Sequence, residues 1–211
     1  MATVSGDVAA LRPLLDSVGL GLGVAGVREP CPRPAGPAEA AAAASMPERR
    51  RLEFLAGRRA ARRALRAVGL DCGEIPRSGR LPVFPPGRAA SISHSAGVAV
   101  AVARRPGRDL PLGCDLELRP LPHEAARLVL RADEETLLAD WSVTELFSAK
   151  EAAWKALAAA EGGLRELRAS PAGDGLRVCL RTDPAHAVRV RVVPVGAGVF
   201  SHVTGRDGVR G

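Results

Sequence analysis

The stretch Phe147-Ser148-Ala149-Lys150-Glu151-Ala152-Ala153-Trp154-Lys155-Ala156 predicts the middle of a long helix. It is rich in alanine, and neither glycine nor proline occurs from Ser142 to Ala160. Ser142 and Thr144 are candidate N-caps, and Gly162-Gly163 is expected to end the helix. Residues at helical spacing predict a face that packs against other protein, namely Leu146, Phe147, Lys150, Trp154 and Leu157.

Glu151 and Lys155 are four residues apart and lie beside this apolar stripe. One interpretation is an exposed ion pair, which would stabilise the helix by only about 0.3–0.5 kcal/mol. The other is a pair of functional side chains. The helix sequence by itself leaves both open.

The chain has 211 residues, which is enough for one large domain or two small ones. Hydrophobic residues make up 46% and charged residues 25%, a soluble globular profile. The net charge of +7 favours polyanionic ligands or acidic partners without choosing among them. Nucleic acid is the main rival ligand, but aromatic residues that could stack on bases are only 3%.

The four cysteines are scattered, with no CxxC pair, at Cys31, Cys72, Cys114 and Cys179. This spacing favours a reducing compartment, and we expect a cytoplasmic protein. No run approaches the roughly 20 apolar residues of a membrane span. The acidic residues Asp7 and Asp16 argue against a signal peptide.

A second long helix is predicted from Ser45-Met46-Pro47-Glu48 to Val68, with Gly69 as its stop. It is densely cationic and carries Arg49, Arg50, Arg51, Arg58, Arg59, Arg62, Arg63 and Arg66. These arginines form either a solvated face in an arginine-rich sequence or a phosphate-binding face, because guanidinium groups match phosphate oxygens.

Ser91-Ile92-Ser93-His94-Ser95 precedes a predicted buried strand, Val98 to Ala103. His94 is either structural or a ligand-binding residue, and the absence of a GxSxG elbow disfavours a hydrolase nucleophile. The segment 104–109 is the best boundary between two halves, which we place at 1–106 and 107–211.

A strand is predicted at Leu112 to Leu118, and its period of two puts Asp115 and Glu117 on one face. That face is either the solvent side or the site of a cation, because two neighbouring carboxylates repel each other. Further strands are predicted near 176–180, 188–193 and 199–203. Each half therefore offers strands beside one long helix.

Together these motifs resemble the 4′-phosphopantetheinyl transferases of the monomeric type that activates surfactin, enterobactin and similar synthetases. The resemblance covers roughly residues 48 to 156. It rests on Arg50 with Glu53-Phe54 and Gly57-Arg58, on Leu81 to Gly87, on Ser91 to Ser95, on Gly113-Cys114-Asp115-Leu116-Glu117 and on Phe147 to Ala156. Phe147 stands where many members of the family carry tryptophan.

The resemblance implies an α+β fold, a pseudo-twofold pair of similar halves with a ligand cleft between them. It implies transfer of the phosphopantetheine arm of coenzyme A to a serine of an apo acyl or peptidyl carrier protein, with release of adenosine 3′,5′-bisphosphate. The pathways of such enzymes make nonribosomal peptides, polyketides and siderophores. We expect a monomer that binds neither nucleic acid nor membrane.

The same resemblance implies the roles of the site residues. Asp115, Glu117 and Glu151 would hold Mg²⁺, or Mn²⁺, which are hard cations that prefer oxygen ligands. Glu151 would also act as general base, and Lys155 would contact the pyrophosphate. Coenzyme A contacts are expected from Arg50, Arg58, Arg80, Ser93, His94 and Lys150, with Arg77 as the alternative to Arg80.

Two alternatives stay open. The arginine-rich helix could make the chain a basic nucleic-acid-binding module without catalysis. The second alternative is an inactive member of the family that only binds carrier proteins. Within the preferred hypothesis, the segment 118–142 is expected to help select the carrier, because it lies between the two acidic motifs.

Overall fold

A computed structural model describes residues 4–30, 33–105, 107, 110–158 and 162–207. The chain divides into two compact units, 1–109 and 110–211. Each unit contains an antiparallel sheet and one long helix packed on it. The predicted α+β class with two α/β halves is confirmed.

The first unit begins with two short helices and ends with a β-hairpin. Its helices are α1 (Val4–Ala9), α2 (Arg12–Ser17), α3 (Pro37–Ala44) and α4 (Glu48–Ala67), and its strands are β1 (Leu20–Gly26), β2 (Arg77–Ser78), β3 (Leu81–Pro82), β4 (Ala90–Ser95) and β5 (Val98–Arg104). The main sheet has the order β1-β5-β4, and β2 pairs with β3.

Small residues let α4 lie very close to this sheet. Gly21 and Gly23 of β1 face the helix, where an added Cβ at Gly23 would collide with the carbonyl oxygen of Ala60. The interface is filled mainly by alanine, which agrees with the low aromatic content. The close approach fixes the position of the arginines along α4.

The start of α4 differs from the sequence prediction. Ser45 is the C-cap of α3, and its hydroxyl donates to the carbonyl of Ala42 at 2.9 Å. Pro47 occupies the N-cap position of α4 and makes no side-chain cap bond. The predicted end is confirmed, since Val68 is the C-cap and Gly69 has a φ of +78°.

The second unit places a five-stranded sheet against its long helix. The strands are β6 (Cys114–Glu117), β7 (Leu167–Ala172), β8 (Gly175–Leu180), β9 (Ala187–Val195) and β10 (Gly198–Arg206), in the order β6-β10-β9-β8-β7. The helices are α5 (Ala126–Val129) and α6 (Val143–Ala156), with 3₁₀ turns at His123–Ala125, Ala132–Ala139 and Leu164–Glu166. One face of the sheet packs on α6 around Leu146, Ala149 and Val203.

The two units repeat one buried ion pair in the same chain order. In the first, Glu39 of α3 pairs with Arg62 of α4 and accepts from the backbone N–H of Ile75 at 2.7 Å. In the second, Glu134 pairs with Lys150 of α6 and accepts from the backbone N–H of Ala169 at 2.7 Å. In the sequence, the two halves share only the pattern of strands beside one long helix. The shared ion pair identifies which residues of the two units correspond to each other.

Cys72, Cys114 and Cys179 are buried free thiols, while Cys31 lies outside the described residues. No helix among those the structure describes combines the length and the apolar character needed to cross a bilayer.

Candidate active site

The acidic strand β6 meets the helix α6 through a glycine. An added Cβ at Gly113 would collide with the carbonyl oxygen of Ala152 and lie 3.0 Å from the Cβ of Ala156. Because alternate strand residues share a face, Asp115 and Glu117 lie on the side that faces α6. The helix carries Glu151 and Lys155, so the structure brings both acidic motifs to one interface within the second unit.

The helix α6 is fixed at its start by a capping box. The backbone N–H of Glu145 donates to the Ser142 hydroxyl at 3.3 Å, and the Glu145 carboxylate accepts from the Ser142 N–H at 2.8 Å. Ser142 is therefore the N-cap that the sequence predicted. The helix ends at Ala156, earlier than expected, and residues 159–161 lie outside the described residues.

Lys155 is bound to β6. Its ammonium donates to Oδ1 of Asp115 at 2.9 Å and to the carbonyl oxygen of Cys114 at 3.0 Å. Although burial opposes its charged form, the Asp115 carboxylate raises the pKa of Lys155 above its usual value. Lys155 is thus a firmly charged cation held against a buried carboxylate.

Glu151 is a half-buried carboxylate of the same site. Burial raises the pKa of Glu151, the Lys155 ammonium opposes this, and the Asp115 carboxylate adds to it. Glu151 therefore experiences the charges of both Asp115 and Lys155. A carboxylate with a raised pKa is a better proton acceptor near neutral pH than an ordinary one.

Among the residues described here, no three His, Cys, Asp or Glu side chains are arranged as a formed metal site. The chemistry of the donors nevertheless fits Mg²⁺, which binds proteins through one or two carboxylates together with substrate phosphates and water. Asp115 and Glu151 are two such carboxylates, and they interact electrostatically. Glu117 is half-buried and shares the face of Asp115, and its part in binding metal stays a prediction.

Lys150 lies inside the second unit. Its ammonium donates to the carboxylate of Glu134 at 2.9 Å and to the carbonyl oxygens of Val129 at 2.8 Å and Leu167 at 3.0 Å. These bonds use all three N–H donors of a side chain that is 0% exposed. The expectation that Lys150 contacts coenzyme A does not fit this placement.

In the first unit, Arg50 and His94 are neighbours although they are far apart in sequence. Nη1 of Arg50 lies 3.4 Å from Nε2 of His94, and Arg50 also donates to Glu53 at 2.8 Å. The Glu53 carboxylate is 4.0 Å from His94. Ser93 is buried on the opposite face of β4, so its side chain does not join His94 on the helix side.

Arg58 and the β2–β3 hairpin form a second cationic group. The Arg58 guanidinium stacks 4.5 Å from the Phe54 ring and donates to the carbonyl of Ile75 at 2.8 Å. Burial lowers its pKa to about 10, and the charge of Arg77 contributes to this shift. Arg80 is exposed at the tip of the hairpin. Arg77, which was predicted as the alternative to Arg80 for binding coenzyme A, is thus the hairpin arginine that interacts electrostatically with Arg58.

Sequence reasoning missed Glu53 and Glu134 as partners of the site residues. A usable signal existed for Lys150: only two of the 30 basic residues are lysine, and both are in α6. Since the chain otherwise uses arginine as its basic residue, a lysine indicates a position where the smaller ammonium group is required. Lys150 and Lys155 each occupy such a position.

Comparison with known proteins agrees with the motifs. Residues 38–104 match the family described as 4′-phosphopantetheinyl transferase N-terminal domain. The predicted resemblance to the 4′-phosphopantetheinyl transferases is therefore confirmed. It is 39% identical over 119 residues to enterobactin synthase component D of Salmonella typhi, covering 51% of this chain and 48% of that protein. The same protein of Escherichia coli (strain K12) is also 39% identical, with 51% and 55% covered. The chain spans about half the length of these curated relatives.

Proposed function

We propose that this chain transfers the 4′-phosphopantetheine moiety of coenzyme A to a serine hydroxyl of an apo carrier protein and releases adenosine 3′,5′-bisphosphate. The match to the family model and the similarity to the curated relatives support the reaction class. The observation that carries the assignment of residues is the convergence of Asp115, Glu151 and Lys155 between β6 and α6.

Asp115 and Glu151, with Glu117, are the proposed ligands of Mg²⁺ or Mn²⁺, which when bound would neutralise charge on the pyrophosphate. Glu151 accepts the proton of the carrier serine, directly or through a water molecule. The serine oxygen then bonds to the β-phosphorus as the bond from that phosphorus to the bridging oxygen breaks. Lys155 stabilises the negative charge of the leaving phosphate.

Residues of the first unit are proposed to bind the nucleotide. Arg50 and His94 lie close enough to contact one phosphate together. Arg58 and Arg77 supply a second cationic group, with Arg80 on the same hairpin. Guanidinium groups suit such contacts because their N–H donors match phosphate oxygens.

We further propose a cytoplasmic monomer that modifies carriers of peptide synthetases, including those of siderophore pathways. The name of the relatives, enterobactin synthase component D, supports the pathway class. The three buried free thiols are consistent with a reducing compartment. The segment 118–142 remains our candidate for carrier selection.

The test is to incubate the protein with coenzyme A, Mg²⁺ and a panel of apo carriers, and to weigh each carrier by mass spectrometry. We expect the mass of one phosphopantetheine to be added to at least one carrier. Asp115→Asn and Glu151→Gln should lower the rate at least about 100-fold, since each removes a charge that acts on the reacting phosphate. Asp183→Asn, at an exposed turn of the same unit, is the matched control. Full activity of either site variant would remove that residue from the site.

The nucleic-acid alternative is disfavoured by the state of the arginines on α4. Six of them pair with acids of the same unit, namely Arg49, Arg50, Arg59, Arg62, Arg63 and Arg66. Arg58 is buried. Because these arginines are paired or buried, α4 offers less uncompensated positive charge to a polyanion than its sequence suggests.

A further inference from the structure

Two buried serine hydroxyls of the second unit have no hydrogen-bond partner in the part of the chain that the structure describes. They belong to Ser148 of α6 and Ser201 of β10, and both residues are 0% exposed. Buried hydroxyls normally bond to protein or ordered water, because an unsatisfied polar group costs free energy. Two such groups in one small unit therefore point to polar groups that the described part of the chain does not supply.

Ser201 lies beside Asp115. The two residues are directly opposite each other in the antiparallel pair of β10 and β6, so their side chains share a face. Val203, two residues further along β10, packs in the core formed with α6. Ser201 therefore faces the helix, as Asp115 does.

Ser148 lies level with the acidic strand. One turn towards the C-terminus, Ala152 packs on Gly113, and one turn towards the N-terminus, the Thr144 hydroxyl accepts from the N–H of Leu121 at 2.8 Å. Ser148 is midway between these two contacts and therefore lies alongside the segment 113–121, which includes β6. It is three residues before Glu151, which places it on the same side of the helix.

We propose that Ser148 and Ser201 are positioning residues of the acidic site. Their hydroxyls bind ordered water molecules, and these waters bond to the carboxylates of Asp115 and Glu151 and orient them towards the divalent cation. Buried waters of this kind make about three hydrogen bonds. Outer partners that orient a metal-binding carboxylate strongly affect metal affinity. The inference rests on the proposed metal-dependent transferase function.

The experiment measures Mn²⁺ binding to the full chain by electron paramagnetic resonance and calorimetry, without coenzyme A. We expect Ser201→Ala and Ser148→Ala each to weaken Mn²⁺ binding about 10-fold. Steady-state assays should show a lower kcat and an unchanged KM for coenzyme A. Ser201→Thr keeps the hydroxyl and should stay within about twofold of the wild type. Ser170→Ala, on the opposite edge strand β7, is the matched control.

A purely structural hydroxyl gives a different result. Removing an unsatisfied buried oxygen would then raise the melting temperature and leave Mn²⁺ affinity unchanged, which would overturn the proposal. The variant Asp115→Asn distinguishes failure of the positioning role from failure of the proposed metal-dependent function. If wild type binds Mn²⁺, Asp115→Asn does not, and both alanine variants bind like wild type, only the positioning role is wrong. If wild type shows no Asp115-dependent binding, the metal site and the positioning role fall together.

Discussion

Lysine and arginine have different tasks in this protein at the level of single residues. Lys150 donates to three acceptors from three different segments of the chain, which suits the three N–H donors of an ammonium. A planar guanidinium presents its donors in one plane and is larger. The buried lysine therefore connects α6 to the turn at Glu134 and to the carbonyls of Val129 and Leu167, and so fixes the helix that carries Glu151.

Lys150→Met is expected to destabilise the protein by roughly 3–5 kcal/mol, because it removes one partner of a buried ion pair. Lys150→Arg should also lower the melting temperature, since the guanidinium does not match the three acceptors. Unfolding in urea measures both. The double variant Lys150→Met with Glu134→Gln should recover part of the loss, because it removes the buried carboxylate that Lys150→Met leaves with Arg181 as its charged partner. Full stability of Lys150→Met with reduced affinity for coenzyme A would instead support the original expectation of a ligand contact.

At the level of elements, the distance between β6 and α6 decides whether the two acidic motifs can act together. That distance depends on Gly113, which lies against the backbone of Ala152. The capping box at Ser142 fixes where the helix begins. The hydrogen bonds of Lys150 fix which face of the helix is turned towards the interior of the unit. Asp115 and Lys155 then meet at 2.9 Å.

Gly113→Ala should push α6 away from β6, because its Cβ would overlap the carbonyl oxygen of Ala152. Overpacking of this kind costs about 1–3 kcal/mol, and the proposed transferase activity should fall further than the loss of stability explains. Gly163→Ala is the matched control, since an added Cβ there meets no atom within 4 Å. Thermal unfolding and the carrier assay are the measurements. Equal effects of the two substitutions would show that the close approach at Gly113 is unimportant.

At the level of the whole molecule, the pH dependence of folding should report a buried histidine. His202 is 1% exposed and stacks on Phe200 with ring centroids 5.8 Å apart. Burial lowers its pKa to about 4, and the charge of Arg191 adds to this, while Asp174 opposes it. The unfolded chain binds a proton near pH 6.5, so protonation favours unfolding.

This linkage contributes stability that is fully present above pH 6.5 and is lost progressively as the pH falls towards 4. Between pH 7 and pH 5 the loss from His202 should be roughly 2 kcal/mol. His202→Asn should remove this pH dependence, whereas His186→Asn, at an exposed position, should keep it. Urea unfolding at several pH values is the measurement. A parallel decline in wild type and His202→Asn would show that His202 is not the group responsible.

Local patterns predicted the long helices and four of the five second-unit strands, but they missed β7 (Leu167–Ala172). The Ser142 cap, the end of α4 at Gly69 and the shared face of Asp115 and Glu117 all follow from short-range rules. The start of α4 was placed too early, because Ser45 and Pro47 satisfy the rules for a helix start while α3 ends there instead. Local capping rules do not say whether a preceding helix is present.

By itself, the sequence determined the resemblance to the family, the two-half α+β organisation and the identity of the acidic and basic side chains. These follow from residue order, helical and strand periodicity and motif spacing, which are properties of neighbours along the chain. Only the tertiary structure decided that Lys150 is an interior ion-pair partner, that Arg50 meets His94 across Glu53, and that Ser201 lies opposite Asp115. Such contacts depend on strand register and on how closely helices approach sheets. Both are determined by backbone atoms that are distant in sequence, and the local sequence does not determine them.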